Sequence, residues 1–393
     1  MISCGTVAEM ATPIALAAPR IDRGVLLDER IAGMLARNAA VAFGVSGGKD
    51  GCAGAFAVWE HLDRIGHTGP RCLVHSDLGS VEWDDSMPTC ERLARALDAE
   101  LVIVRRPQGG MMERWRQRWT DNVRRYATLS CVKLILPWST PDMRFCTSEL
   151  KIAQINRGLV ERWPGREIVS AAGIRRQESR QRQRAEISKI NKGLAKVRAR
   201  TSGATWNPIL HWLTGDVFAM CKHRGFEMHE GYRVHGMKRI SCRLCIMQDA
   251  DDMRISAWVP GHESTVLDVA ALEIESTYGF QGARWVADLR PDLLSDAQRI
   301  AVADAKRRGA ERERAEAWLP DHLLYTDGWP TVMPTTEEAA KIARMRREVA
   351  GQIGIDVQYT TGAEVTARYA ELMAINATKN AKKKNKTCQN DAD

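Results

Sequence analysis

The chain has 393 residues, with 57 Lys and Arg against 49 Asp and Glu, a formal net charge of +8 that favours anionic partners without naming one. Its 44% hydrophobic content supports a sizeable core, arranged as one large domain with an appendage or as two domains. No apolar run approaches the roughly 20 residues of a membrane span. The opening MISCGTVAEMATPIALAAPR lacks a basic start and carries Glu9, so no membrane partner and no secretory signal are expected, and the location expected is cytoplasmic.

Residues 1–25 are expected to form a poorly ordered leader. Leu26–Ala39 places apolar residues at helical spacing behind Asp28, a capping residue type. Val41–Val45 is a short apolar run suited to a buried strand, and beyond a glycine turn CAGAFAVWEHLDRIG has the apolar face of a helix. Cys72–Asp77 and Leu101–Arg106 predict two more strands, with a helix over Met87–Leu97 between them. Strands alternating with helices predict an α/β fold. Its sheet is mostly parallel and twisted, Rossmann-like, with helices on both faces.

Arg114–Ser130 predicts a helix whose Trp115 and Trp119, four apart, form a core stripe. Glu167–Ile174 predicts a strand that runs into the basic stretch RRQESRQRQR. Ser188–Arg200 is polar and rich in Lys and Arg, so it is expected to be exposed or mobile. Order restarts at Trp206–Gly225, with Thr214 placed to cap a helix from Gly215 onward. These spans make residues 26–255 the main domain, 256–377 a helical appendage and 378–393 a basic disordered tail.

Ala40–Gly51 reads AVAFGVSGGKDG. It fails as a Walker A loop, because Lys49 is followed by Asp50 and the first glycine of that pattern is Phe43. It fails as a dinucleotide fingerprint for want of the G-x-G-x-x-G spacing. What remains is strand, Ser-Gly-Gly-Lys-Asp, helix. Two glycines let backbone N–H groups close on an anion, and the N-terminus of the next helix adds the positive end of its dipole. Lys49 offers a point charge to phosphate oxygens, and Asp50 offers Mg²⁺ a carboxylate. The plainer alternative is a tight turn with an exposed lysine.

This stretch resembles the PP-loop of ATP pyrophosphatases, S-G-G-x-D-S, with Gly51 where the pattern has its last serine. That superfamily of adenine nucleotide alpha-hydrolases includes thiolation enzymes, amidating synthetases and sulfonucleotide reductases. Three later stretches resemble its PAPS reductase-like members, in the family's order. MRFCTSELKI (143–152) is similar to R-[WF]-C-T-x-x-L-K, and AAGIRRQESRQR (171–182) to G-x-R-x-x-E-S-x-x-R. Gly231–Cys245 is similar to a segment ending in R-x-x-C-x-x-C.

The resemblance implies a PP-loop fold that binds a nucleotide through Ser46, Gly47, Gly48, Lys49 and Asp50. His75 and Asp77, at a strand end, would lie near the adenosine, and Gly173 near the nucleotide. Lys49, Asp50 and Arg175 are the implied catalytic residues. Arg144, Lys151, Arg175, Glu178, Arg182 and Arg239 are the implied substrate contacts, Arg175 and Arg182 as phosphate or sulfate clamps. His211, His223 and His229 have no metal-ligand spacing and are read as structural.

Cys242 and Cys245 form a C-x-x-C, a spacing open to Zn²⁺, an iron–sulfur cluster, a redox disulfide or no role. Cys146 lies in a matching motif, and the resemblance implies that these three belong to a 4Fe–4S cluster. Cys131 and Cys221 both remain candidates for a fourth ligand.

Three functions stay open at this stage. One is an ATP-dependent adenylating sulfurtransferase using Mg²⁺ and a cluster, with DNA or tRNA as acceptor and a sulfur donor protein as partner. Another is a PAPS or APS reductase attacking its sulfonucleotide with Cys388 of the tail. The last is a Zn²⁺-stabilised nucleic-acid-binding protein without catalysis.

Overall fold

The computed structural model describes residues 24–390, with side chains through residue 381. All but the last two residues of the expected leader, and the Cys388 side chain, lie outside that description.

The chain opens with α1 (Glu29–Ala36), whose N-cap is Asp28; the Asp28 carboxylate accepts from the Ile31 N–H at 3.0 Å. There follow β1 (Ala40–Val45), α2 (Lys49–Arg64), β2 (Arg71–Asp77), α3 (Ser86–Ala96) and β3 (Glu100–Arg105). α4 (Met111–Ala127) leads through irregular chain to a π-helical turn at Cys146–Ile152, which runs directly into α5 (Ala153–Arg162). β4 (Glu167–Ala172), α6 (Arg180–Gln183), β5 (Ser188–Ile190) and β6 (Ser202–Trp206) complete the sheet. The rest is helical: α7 (Thr214–His223), α8 (Glu230–Arg233), α9 (Ala250–Trp258), α10 (Glu263–Ser276), α11 (Asp296–Glu316), α12 (Thr336–Ile353) and α13 (Gly362–Asn390).

The six strands lie in the order β3-β2-β1-β4-β6-β5. β1 pairs in parallel with β2 and β4, and β4 with β6, so the predicted α/β class holds. β1 is flanked by strands from both directions of the chain, which makes the C-terminal ends of β1 and β4 the switch point where such sheets open a crevice.

Two local expectations change. Ser188–Arg200 is exposed as expected, but it is an ordered hairpin. β5 pairs antiparallel with β6, Ser188 opposite Trp206 and Ile190 opposite Ala204. Its tip is closed by Lys196 and Thr201 exchanging backbone bonds at 3.2 Å, with Arg200 at φ +52 and the Thr201 hydroxyl on the Leu194 carbonyl. Three residues of β5 are too few to register as an alternating pattern. Thr214 is the first residue of α7, not its cap; the Asp216 carboxylate accepts from the Leu213 N–H instead. In addition, α13 continues through Asn390, so the stretch read as a tail is helical over that length.

The described chain forms two compact units that interleave along the sequence. Among the described residues, one comprises 24–75, Asp85–Ile103 and Ile155–Arg233; the other comprises Ser76–Asp84, Val104–Gln154 and 234–390. In the first, α1, α2, α3 and α7 cover the sheet around Phe43, Phe56, Trp59, Leu73, Val169 and Trp206. The second has its own core, in which Trp115 and Trp119 of α4 are 4% and 2% exposed, as the stripe predicts. Trp115 stacks edge-on against Trp138 and Phe280, both at 5.4 Å between centroids. α12 and α13 share that core through Ile342, Met345 and Tyr369, so the C-terminal helices and α4 fold as one body. Arg346, wholly buried, donates to the carbonyls of Tyr126, Ala127 and Gln358 and thereby satisfies the C-terminus of α4. No helix among the described residues is long and apolar enough to cross a membrane.

Candidate active site

Each unit carries one cluster of chemistry-bearing side chains. In the first, β1 ends at Val45, and Ser46-Gly47-Gly48 turns the chain into α2, whose first residue is Lys49. Gly47 has φ +75, and a Cβ there would come within 3.0 Å of the His229 ring and 3.2 Å of the Ser86 backbone. Both the dihedral and the close approach require glycine. Gly173, just past β4, has the same need: a Cβ would fall 2.3 Å from the Asp50 carbonyl.

Lys49 is buried, 5% exposed, in spite of its charge. Its Nζ lies 3.4 Å from Asp50 Oδ2 and 5.3 Å from the Tyr232 ring centroid, and its backbone N–H donates to the Tyr232 hydroxyl at 3.2 Å. Arg175, 3% exposed, donates from Nε to Asp50 Oδ1 at 2.5 Å and from Nη1 to Gln177 Oε1 at 2.9 Å and Thr214 Oγ1 at 3.2 Å. Two buried cations thus share one carboxylate, leaving a net positive charge at the N-terminus of a 16-residue helix. Such a seat is complementary to an anion. Each Asp50 oxygen faces one of the two cations, so Asp50 positions Lys49 and Arg175.

Glu178 accepts from the Arg175 backbone N–H at 2.8 Å and pairs with Arg182. It therefore shapes the turn after β4 and holds Arg182. His75 is fully buried, its Nδ1 3.1 Å from the Val45 carbonyl, and it packs under the end of β1.

Residues to which the sequence assigned no role at this site close it. His229 is fully buried; its Nδ1 accepts from the Gly231 N–H at 3.0 Å, which leaves the hydrogen on Nε2, 3.3 Å from Ser86 Oγ. Asp85 accepts from the Glu230 N–H at 2.7 Å and from Arg92 at 3.0 and 3.1 Å. Burial alone would raise its pKa, but these donors prevail and hold the carboxyl below the usual range. Asp85, Ser86, His229 and Tyr232 come from two distant segments, and no local spacing announces them.

The second cluster lies in the other unit. Cys146 is the first residue of the π-helical turn, a rare geometry frequent at functional sites. Phe145 before it is buried between the Arg114 and Arg118 guanidinium groups, 4.7 and 5.0 Å from its ring centroid. The Ser76 hydroxyl donates to the Leu150 carbonyl within the turn at 2.6 Å.

The C-x-x-C loop is pinned on several sides. The Arg243 N–H donates to the Val81 carbonyl at 2.7 Å, and the Cys245 N–H to Gln248 Oε1 at 2.9 Å. Gln281 Nε2 reaches the carbonyls of Ile246 and Gln248, both at 3.0 Å. The Met247 N–H points at Cys245 Sγ, 3.5 Å away.

Desolvation pushes the Cys242 thiol up to about 12. Cys245, Glu82 and Cys146 add to that rise, and Lys151 opposes it. The three thiols expected to act together are therefore neighbours, with Lys151 as their counter-charge. Cys131 is elsewhere in the same core: burial pushes it up to about 11, and its charged neighbours are Arg125, Arg346 and Glu316. Cys221 belongs to the first unit, where burial pushes its thiol up to about 12, and it packs near Cys52, which burial also pushes well up. Neither supplies a fourth thiol to the trio. Among the described residues no group of three His, Cys, Asp or Glu side chains is placed to hold a metal ion, so the set does not fit a cluster or Zn²⁺ as it stands.

The remaining expected contacts are peripheral. Arg144 is exposed and donates to the Pro141 carbonyl at 2.9 Å. Arg239 is exposed, and Asp77 caps the Gly79 N–H at 2.7 Å.

Two solved structures similar to the chain are a phosphoadenylyl-sulfate (PAPS) reductase from Candida auris and the U34-tRNA thiolase NcsA from Methanococcus maripaludis with its [4Fe-4S] cluster. The first is 14% identical over 51% of this chain and 80% of its own, with a TM-score of 0.33. The second is 14% identical over 72% of this chain and 77% of its own, with a TM-score of 0.35. No curated protein matches the chain. Residues 40–248, from β1 through the C-x-x-C loop, match the phosphoadenosine phosphosulfate reductase domain, and the chain belongs to that family.

Proposed function

We propose that this protein is an ATP-dependent adenylating enzyme of the sulfurtransferase type, splitting ATP into AMP and pyrophosphate. The observation that carries this reading is the buried Lys49–Asp50–Arg175 arrangement at the N-terminus of α2. A substrate oxygen attacks the α-phosphorus, the bond to the bridging oxygen breaks, and pyrophosphate leaves. A sulfur nucleophile then displaces AMP from the activated carbon.

Charge grows on the pyrophosphate oxygens as they depart. Lys49 and the helix terminus, fixed beforehand, stabilise that charge without reorganising. Asp50 keeps both cations oriented, and Gly47 and Gly173 let the backbone close around the anion. Cys242, Cys245 and Cys146 are the groups available to carry sulfur, and the buried Cys242 thiol must first be deprotonated. Lys151 supplies a charge that favours the thiolate.

The family match also favours a second reading, a sulfonucleotide reductase. Turnover separates the two. Under the first reading, ATP is converted to AMP and pyrophosphate, and labelled pyrophosphate exchanges into ATP. Release of sulfite from PAPS or APS without ATP consumption overturns it.

A further inference from the structure

We propose that the β5 edge of the sheet, continued by α6 and the hairpin tip, is a binding surface for the phosphate backbone of a nucleic-acid duplex. The observation is a row of cations without partners. Arg180 and Arg184 stand on and just after α6, Lys189 lies on β5, and Lys192, Lys196 and Arg198 lie on the hairpin; all are exposed. None of the six forms an ion pair with a carboxylate among the described residues. From Arg180 to Arg200 the one acidic residue is Glu186.

The appendage handles the same residue types differently. There Arg299 pairs with Asp296, Arg307 with Asp304 and Glu311, Lys341 with Glu337, Arg344 with Glu348 and Arg368 with Glu371. A helix surface kept soluble by interspersed charges has that pattern. The β5 edge is almost wholly of one sign, with Glu186 alone against it, and such a stripe costs self-repulsion unless a polyanion neutralises it.

Strand register shows how the cations are arranged. Ser188 of β5 lies opposite Trp206 at the end of β6, and Trp206 pairs with Ala171 near the C-terminal end of β4. Two residues past Ala171 lies Gly173, the glycine that abuts Asp50. At the other end, Ser202 pairs with Glu167, the first residue of β4, and the Gly165 N–H donates to the Ala199 carbonyl at 2.8 Å. The cations therefore run from the sheet edge that carries the anion seat to the opposite edge. That track follows about 16 Å of strand, along which a duplex presents about nine phosphate charges.

The hairpin is built to hold them. Leu194 is fully buried, Asn191 and Asn156 bond through their amides at 3.1 Å, and the tip is closed by the Lys196–Thr201 pair. Edge-strand lysines guard a sheet against unwanted pairing, which accounts for Lys189 but not for cations on α6 and the turn. A row of cations spread along a strand edge suits an extended run of phosphates more than a single small anion.

As an acceptor surface this inference rests on the adenylating function proposed above; as a binding surface it does not. The test is fluorescence anisotropy of the full chain with labelled 20-base-pair DNA and RNA duplexes across a salt series. Wild type is expected to bind both duplex sequences without base preference. Log affinity should fall linearly with log salt. The triple variant Lys192→Gln/Lys196→Gln/Arg198→Gln should lose roughly 2–3 units of that slope, about 0.9 per contact removed. Its thermal melting should be unchanged, since all three side chains are exposed.

A second triple variant, Lys341→Gln/Arg344→Gln/Arg307→Gln, removes as many cations from the appendage and should keep the wild-type slope. The inference is overturned if wild type does not bind at low salt, if the hairpin variant keeps the full slope, or if both variants lose it equally. Pyrophosphate exchange is read on the same wild-type preparation. Binding without exchange sinks the functional reading alone, and exchange without binding sinks this inference alone.

Discussion

At Ser46–Gly51 the charged side chains hold one another: Asp50 sits between Lys49 and Arg175, and Arg175 is further tied to Gln177 and Thr214. At Cys242–Cys245 the backbone is pinned as firmly, by Gln248 and Gln281, yet its thiols have only Lys151 as counter-charge. The first loop is an electrostatically finished seat that needs only its anion. The second is a rigid frame in which burial keeps the Cys242 thiol protonated at neutral pH. Preorganised geometry and preorganised charge are therefore separate achievements, and this protein has both in only one of its two loops.

The largest expected effect falls on the finished loop. Arg175→Ala strips Asp50 of its main partner in a buried setting and should destabilise the protein by about 3–5 kcal/mol, read by urea unfolding. A cost below 1 kcal/mol would show that the seat is not held by this pair. Next, Lys49→Ala should lower pyrophosphate exchange about 10²–10³-fold, as the loss of one group that stabilises transition-state charge does. An unaffected rate would remove Lys49 from the chemistry.

The thiol frame is tested through Glu273, which holds the segment that carries Gln281. Its carboxylate accepts from the N–H groups of Phe280, Val286 and Ala287 at 2.8, 2.8 and 3.0 Å, and burial raises its pKa from 4.5 to about 7. A carboxyl with a raised folded pKa binds its proton more tightly when folded, so it costs stability above pH 7 and not below pH 4.5. That cost is about 3 kcal/mol. Stability should rise as pH falls from 7.5 to 5, and Glu273→Gln should flatten this part of the profile. His262 works in the opposite direction, since burial lowers it to about 4 and its neutral form is the folded one. The difference between wild type and Glu273→Gln is therefore the quantity to measure. A difference independent of pH would mean that the Glu273 pKa is not raised.

Alkylation of Cys242, followed by peptide mass spectrometry, sharpens the same contrast. With its thiol pushed up to about 12, the rate should climb about tenfold per pH unit between 7 and 10 with no plateau. A plateau near neutrality would mean that the thiolate is already formed. The smallest effect belongs to Gly51→Ser, which restores the residue usual in the PP-loop pattern. A Cβ there meets the Gly44 carbonyl at 3.7 Å and Val45 Cα at 3.8 Å, ordinary contacts, so stability should change by no more than about 0.5 kcal/mol. A larger loss would show that the glycine is needed for the loop's conformation.

Much of the first loop was legible in the chain. Val41–Val45, the glycines and Lys49 are contiguous, and a buried strand followed by glycine and a helix is a local pattern with one geometry. Its lid was not. His229 and Tyr232 are separated from the loop by more than 170 residues, and a lone buried histidine has no spacing to betray it. At the thiol loop, Cys146 and the C-x-x-C were readable as motifs, whereas the hold of Gln281 on that loop depends on a distant helical segment. The hairpin was seen only as a basic stretch, because three residues of β5 carry too little alternation.

The sequence by itself determined the α/β class, the parallel strands around β1 and the strand–glycine–helix turn at Ser46–Lys49, because burial pattern and turn chemistry act over a few neighbouring residues. Only the tertiary structure decided that Asp50 clamps Arg175, that Cys131 has charged neighbours other than the thiol trio and that the appendage shares its core with α4. It also decided that a row of unpaired cations lies along one strand edge. Ion pairs, desolvation and register are set by which distant segments meet, and that information is spread over the whole chain.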